Sequence, residues 1–63
     1  MIKENRIKKG YTQEELAEIL EISWRQLQRI EKNEENTKIT TLKKIIKILK
    51  ISDKEILDFM KGK

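Results

Sequence analysis

Residues 12–31 read TQEELAEILEISWRQLQRIE, and how this stretch is read decides the fold. Thr12 followed by Glu15 has the form of a capping box: the hydroxyl accepts one orphan backbone N–H and the carboxylate accepts another. Leu16, Ile19 and Leu20 then recur at helical spacing. Glu21 and Ile22 interrupt the pattern. Ser23 with Gln26 has the form of a second capping box, and Leu27 and Ile30 supply the next apolar face. The spacing predicts a helix over 13–20, a tight turn, and a helix over 24–32. At such a turn the residue in the position of Glu21 often adopts a left-handed conformation, which costs a non-glycine residue about 1 kcal/mol. Two helices of about two turns each do not hold together in water. The flanking segments are therefore expected to clamp them.

The segment 2–9 predicts a short first helix, with Ile2 and Arg6 one turn apart and Ile7 beside them. Gly10 suits its C-terminal cap, where φ is positive. Lys8 and Lys9 complement the helix dipole. Tyr11 stands where a hydrophobic staple would pack on Leu16. After helix three, residues 33–39 form a polar loop, with Asn33 and Asn36 as the expected special-φ positions. Thr40 or Thr41 is expected to cap helix four, whose Leu42, Ile45, Ile46 and Leu49 follow i, i+3, i+4, i+7. Ile48 falls off that stripe and is expected at the surface. Ser52 and Glu55 offer a third capping box, opening a helix over 53–60. Its Ile56, Leu57, Phe59 and Met60 exceed one apolar stripe, so part of that surface should meet a partner. The end, 61–63, is expected to fray.

The 63 residues are expected to form one domain spanning 1–63, with a core of aliphatic side chains. A chain this short buries roughly 60% of its unfolded surface. It has no cysteine and no histidine, so neither a disulfide nor a thiolate or imidazole metal site is expected, and no cofactor. No Gly-rich phosphate loop or nucleophile–base pair is evident, so an enzyme is not expected and no small-molecule substrate is implied. No apolar run approaches the roughly 18 residues that would cross a bilayer. The N-terminus has no contiguous apolar region, so a cytoplasmic protein is expected. The net charge is +4, unevenly spread. Residues 12–22 carry Glu14, Glu15, Glu18 and Glu21 with no base, whereas 39–51 carry four lysines and no acid. This moderate basicity suits an anionic partner.

On helix three, Arg25 and Gln28 fall on the face away from Leu27, bordered by Trp24 and Arg29. Arg pairs with guanine edges and Gln with adenine edges in the major groove. Trp24 could either shield the core or meet a groove through its indole edge or a thymine methyl. Gln13 lies among the free N–H groups of the first turn of helix two, an anion-favouring position.

Taken together, the residues 8–23 (KKGYTQEELAEILEIS), 27–31 (LQRIE) and 41–57 (TLKKIIKILKISDKEIL) resemble the phage repressor and Cro-type helix-turn-helix DNA-binding domains. The resemblance covers nearly the whole chain. It implies an all-α, five-helix, lambda-repressor-like fold in which helices two and three form the helix-turn-helix. It implies a transcription regulator, most simply a repressor, binding a double-stranded DNA operator as a homodimer. Helix three would be the recognition helix in the major groove. Trp24, Arg25 and Gln28 match positions that read base edges in the family, and Ser23 and Arg29 match positions near backbone or bases. Gln13 matches a glutamine that holds a phosphate and can brace a recognition-helix side chain. Arg6 and Glu31 match a partly buried ion pair, and Lys38 matches a phosphate-contact region. Three departures stand out. Glu21 replaces the usual turn glycine, Trp24 is bulky for a base-reading position, and Glu34 and Glu35 put acid near where phosphates would lie. The alternative they suggest is a protein-interaction module of the same fold, such as an antitoxin.

Overall fold

The computed structural model describes residues 1–62. The chain forms α1 (Ile2–Lys8), α2 (Gln13–Leu20), α3 (Trp24–Lys32), α4 (Ile39–Leu49) and α5 (Asp53–Met60), with a 3-10 turn at Glu34–Asn36. The fold is all-α, with no strand among the described residues. The α2 and α3 helices pack most closely on each other, and α4 packs against α1 and α2. One core joins them: Ile2, Leu16, Ala17, Leu20, Leu27, Leu42, Ile45, Leu49 and Ile51 are buried, and Tyr11, Ile22, Ile30 and Ile56 pack partly buried against it.

Three of the connections share one construction. Each is a residue with positive φ, then an apolar residue, then a Thr or Ser that caps the next helix. The three are Gly10-Tyr11-Thr12, Glu21-Ile22-Ser23 and Lys50-Ile51-Ser52, with φ of 83°, 60° and 52° at the first residue. In each, the amide of the apolar residue donates to a carbonyl five residues back: Tyr11 to Arg6 (3.0 Å), Ile22 to Ala17 (3.0 Å) and Ile51 to Ile46 (3.1 Å). This satisfies carbonyls that the helix end leaves open and turns the apolar side chain inward. Reciprocal capping boxes form at Thr12/Glu15 and Ser23/Gln26.

Several expectations need correction. Ile19 is half exposed (47%), and Ala17 takes its place in the core. At about 100° per residue, Leu16, Ala17 and Leu20 span one face, and Ile19 lies outside it. Ile48 is half-buried against the core rather than exposed, because the inward stripe of α4 is wider than its four anchors. Neither Thr40 nor Thr41 caps α4. Lys38 takes that position with extended backbone and no side-chain cap, so both threonines fall in the first turn. Neither Asn33 (φ −143°) nor Asn36 adopts positive φ, because the 3-10 turn needs only right-handed dihedrals and the Thr37 hydroxyl closes it on the Glu34 carbonyl at 2.8 Å. The third capping box forms only in half. Ser52 accepts from the Glu55 amide (3.2 Å), but the Glu55 carboxylate turns to the buried Asn5 amide (2.8 Å). Of the α5 apolar residues, Ile56 joins the core while Leu57 and Met60 are exposed. Lys61 and Gly62 continue the backbone bonding of α5, and Lys63, expected to fray with them, lies outside the described residues.

Candidate nucleic-acid interface

The outward face of α3 is set by what its inward face is tied to. Leu27 is fully buried and Ile30 half-buried. Next to Leu27 in angle, on the side away from Ile30, lies Glu31, whose side chain is only 4% exposed. Its carboxylate accepts from Arg6 Nε at 2.7 Å and Nη2 at 3.3 Å, and from Gln13 Nε2 at 2.9 Å. The remaining Arg6 nitrogen, Nη1, donates to the Tyr11 carbonyl at 3.0 Å. Gln13 in turn accepts from the Trp24 indole Nε1 at 3.0 Å. A continuous relay of Arg6, Glu31, Gln13 and Trp24 therefore runs from α1 through both helices of the central pair. Its donors and acceptors match at every joint, which fixes the orientation of the Gln13 amide.

Trp24, Arg25 and Arg29 are exposed and Gln28 is half-buried. In angle they run in the order Trp24, Gln28, Arg25, Arg29, from the flank beside Glu31 round to the side opposite Leu27, where Arg25 and Arg29 stand. Trp24 and Gln28 lie on the flank nearer Gln13. Gln28 lines a shallow depression with Gln13, Lys3, Glu31 and Lys32. Arg29 lies on the other flank and lines a second depression with Gln26, Asn36, Thr37, Lys38 and Thr41. Arg25 stands on the ridge between. Ser23 is taken up by capping: its Oγ accepts from the Gln26 amide at 3.1 Å, and Gln26 Oε1 accepts from the Ser23 amide at 2.9 Å. Lys38 is exposed at the start of α4, where the first-turn amides have no side-chain cap. The residues singled out in the sequence thus form two clusters. Gln13, Trp24 and Gln28 make one; Arg29 and Lys38 make the other.

The acid beside this surface is differently placed from the sequence expectation. Glu34 points away into the fold. Its Oε2 accepts from the amides of Ile2 (3.0 Å) and Lys3 (3.4 Å), and its Oε1 lies 3.1 Å from the Met1 amine. It compensates the positive N-terminal end of α1. Glu35 remains exposed. The sequence reading missed two of these partnerships, Glu34 with α1 and Asn5 with Glu55. Asn5 shares the inward i, i+3, i+4 face with Ile2 and Arg6, and that spacing is the signal that could have placed Asn5 inward, though not named its partner.

Partial burial pushes the Met1 amine down, but hydrogen bonds to Glu4 and Glu34, with their charge, outweigh it and hold it above its ordinary value of 8.0. The same amine, 2.7 Å from Glu4, holds that carboxyl below its ordinary value. Among the described residues no group of three acidic side chains comes together as a metal site, and no helix is long and apolar enough to cross a membrane. A family profile described as helix-turn-helix matches residues 2–56. No curated protein and no solved structure matches the chain.

Proposed function

Because the chain belongs to the helix-turn-helix family of Cro and repressor type, a family of DNA-binding transcription regulators, we propose that it is a sequence-specific repressor. Residues 1–63 act as one unit that binds a double-stranded operator as a homodimer in the cytoplasm. The α3 helix lies in the major groove of each half-site, with half-sites about one helical turn apart. Arg25 and Gln28 read base edges. Gln13, Ser23, Arg29 and Lys38 hold register on the phosphates or adjoining bases, and the uncapped amides at the start of α4 add anion-binding donors. Trp24 contributes to the same surface. No metal or cofactor takes part.

The observation that carries this reading is a division of labour on α3. Glu31, Leu27 and Ile30 are spent on holding the helix in place. Arg25 and Arg29 stand exposed on its opposite side, and the nearest loop acid, Glu34, is neutralised elsewhere. The dimer surface is assigned to α5, whose Leu57 and Met60 are 59% and 62% exposed. Selection of bound sequences from random duplex DNA tests the proposal. The expected product is a two-fold motif with two equivalent half-sites. Recovery of no enriched sequence would overturn it.

The same exposed pair on α5 favours one second reading, a protein-binding module that keeps the fold without reading bases. It predicts a stoichiometric protein partner whose binding is lost in Leu57→Glu, and no enriched DNA sequence.

A further inference from the structure

Trp24 opens α3 and is 46% exposed, yet its one hydrogen-bonding group is already taken. An indole has a single donor, Nε1–H, and no acceptor. That donor lies 3.0 Å from Gln13 Oε1, and Gln13 is itself fixed by donating to Glu31 at 2.9 Å. Glu31 is buried and held by Arg6. The indole is therefore locked by a relay anchored in α1, and what it shows to the outside is carbon.

Resting on the DNA-reading assignment of α3, we infer that Trp24 is a specificity residue that reads the 5-methyl group of a pyrimidine. In the major groove, the thymine methyl is the one apolar feature that distinguishes base pairs; the other edge groups are donors or acceptors. An apolar ring without a free donor gains nothing from those polar groups and leaves them unpaired if it covers them. It gains by covering a methyl. The ligand class at this position is thymine, or cytosine carrying the same methyl. Gln13 and Glu31 act here as positioning residues: they occupy the N–H and fix the ring, so the contact is with a preset surface.

The experiment uses the full chain and a duplex recovered from the random-sequence selection. Each dT is replaced singly by deoxyuridine, which removes only the 5-methyl. At one position in each half-site this should weaken binding about four-fold, the worth of one buried methyl group. At that position, dC should bind more weakly than 5-methyl-dC. Trp24→Ala should abolish the dT-over-dU preference there and leave the salt dependence of binding unchanged. A purely structural Trp24 would instead weaken dT and dU duplexes equally. Trp24→Phe, which keeps an apolar ring but loses the bond to Gln13, should retain the preference in weakened form. Equal affinity for dT and dU at every position, with sequence-specific binding intact, overturns this inference and leaves the proposed function standing. Absence of any sequence-specific binding overturns both.

Discussion

Glu31→Ala is expected to bring the fold to the edge of unfolding. The carboxylate takes three hydrogen bonds, two from Arg6 and one from Gln13, in a place where the Glu31 and Arg6 side chains are 4% and 10% exposed. Truncation leaves the guanidinium buried with only the Tyr11 carbonyl, at 3.0 Å, as partner. Breaking a buried pair in this way costs about 3–5 kcal/mol. The whole stability of 63 residues is about 3–9 kcal/mol at the usual value per residue. One side chain thus decides a third or more of it. Glu31→Gln keeps the shape but puts an amide N–H against a donor, so a loss of about 2 kcal/mol is expected. Arg6→Met with Glu31→Leu removes both charges together and should cost less than Glu31→Ala alone. The assay is urea unfolding followed by far-ultraviolet circular dichroism, with the linear extrapolation to water. The reasoning is refuted if Glu31→Ala loses less than about 1 kcal/mol, or if the double replacement is as damaging as the two single truncations summed.

Other outcomes follow from the turns, the α1 terminus and α5. Glu21→Gly and Lys50→Gly relieve left-handed backbone at φ 60° and 52° and should each add up to about 1 kcal/mol, or about 4–8 °C in Tm, by thermal melting. The Met1 amine, raised by Glu4 and Glu34, should contribute stability that is complete below pH 8.0 and is lost as pH rises through its elevated folded value. Glu34→Gln or amine acetylation should flatten that alkaline decline in pH-dependent urea melts. Leu57→Glu with Met60→Glu should leave the helical circular-dichroism spectrum unchanged, because both side chains are exposed on the single chain, and should shift sedimentation to the monomer.

How much of this was legible in the sequence differs by scale. The bounds of α2, α3 and α5 follow from Ser and Thr caps followed by apolar periodicity, and those signals are local. The left-handed Glu21 was legible from its place between two capped helices. Lys50 was not recognised, although L-K-I-S at 49–52 repeats L-E-I-S at 20–23 and builds the same turn. The resemblance implied the Arg6–Glu31 pair, and the structure brings it together at 2.7 Å. The partners of Glu34 and Asn5 lie 32 and 50 residues away, and no local pattern announces such a pairing. The Glu55 carboxylate shows the cost of reading locally: its spacing from Ser52 fits a capping box, and a distant amide wins it. For the interface, residue type pointed to Trp24, Arg25, Gln28 and Arg29. Which of them are already bonded internally depends on Gln13, eleven residues before Trp24.

The central claim is that the outward face of α3 reads DNA, and a titration of a selected operator duplex at low and moderate salt tests it most directly. Wild-type affinity is expected to fall about a hundredfold between about 50 and 200 mM salt if four phosphates are engaged. Arg25→Ala with Gln28→Ala should weaken binding at least about thirtyfold per half-site at either salt, the loss of two base contacts in each half-site at the lower end of their usual worth. Unchanged affinity in that double variant, or no saturable binding by the wild-type chain even at low salt, would contradict the account.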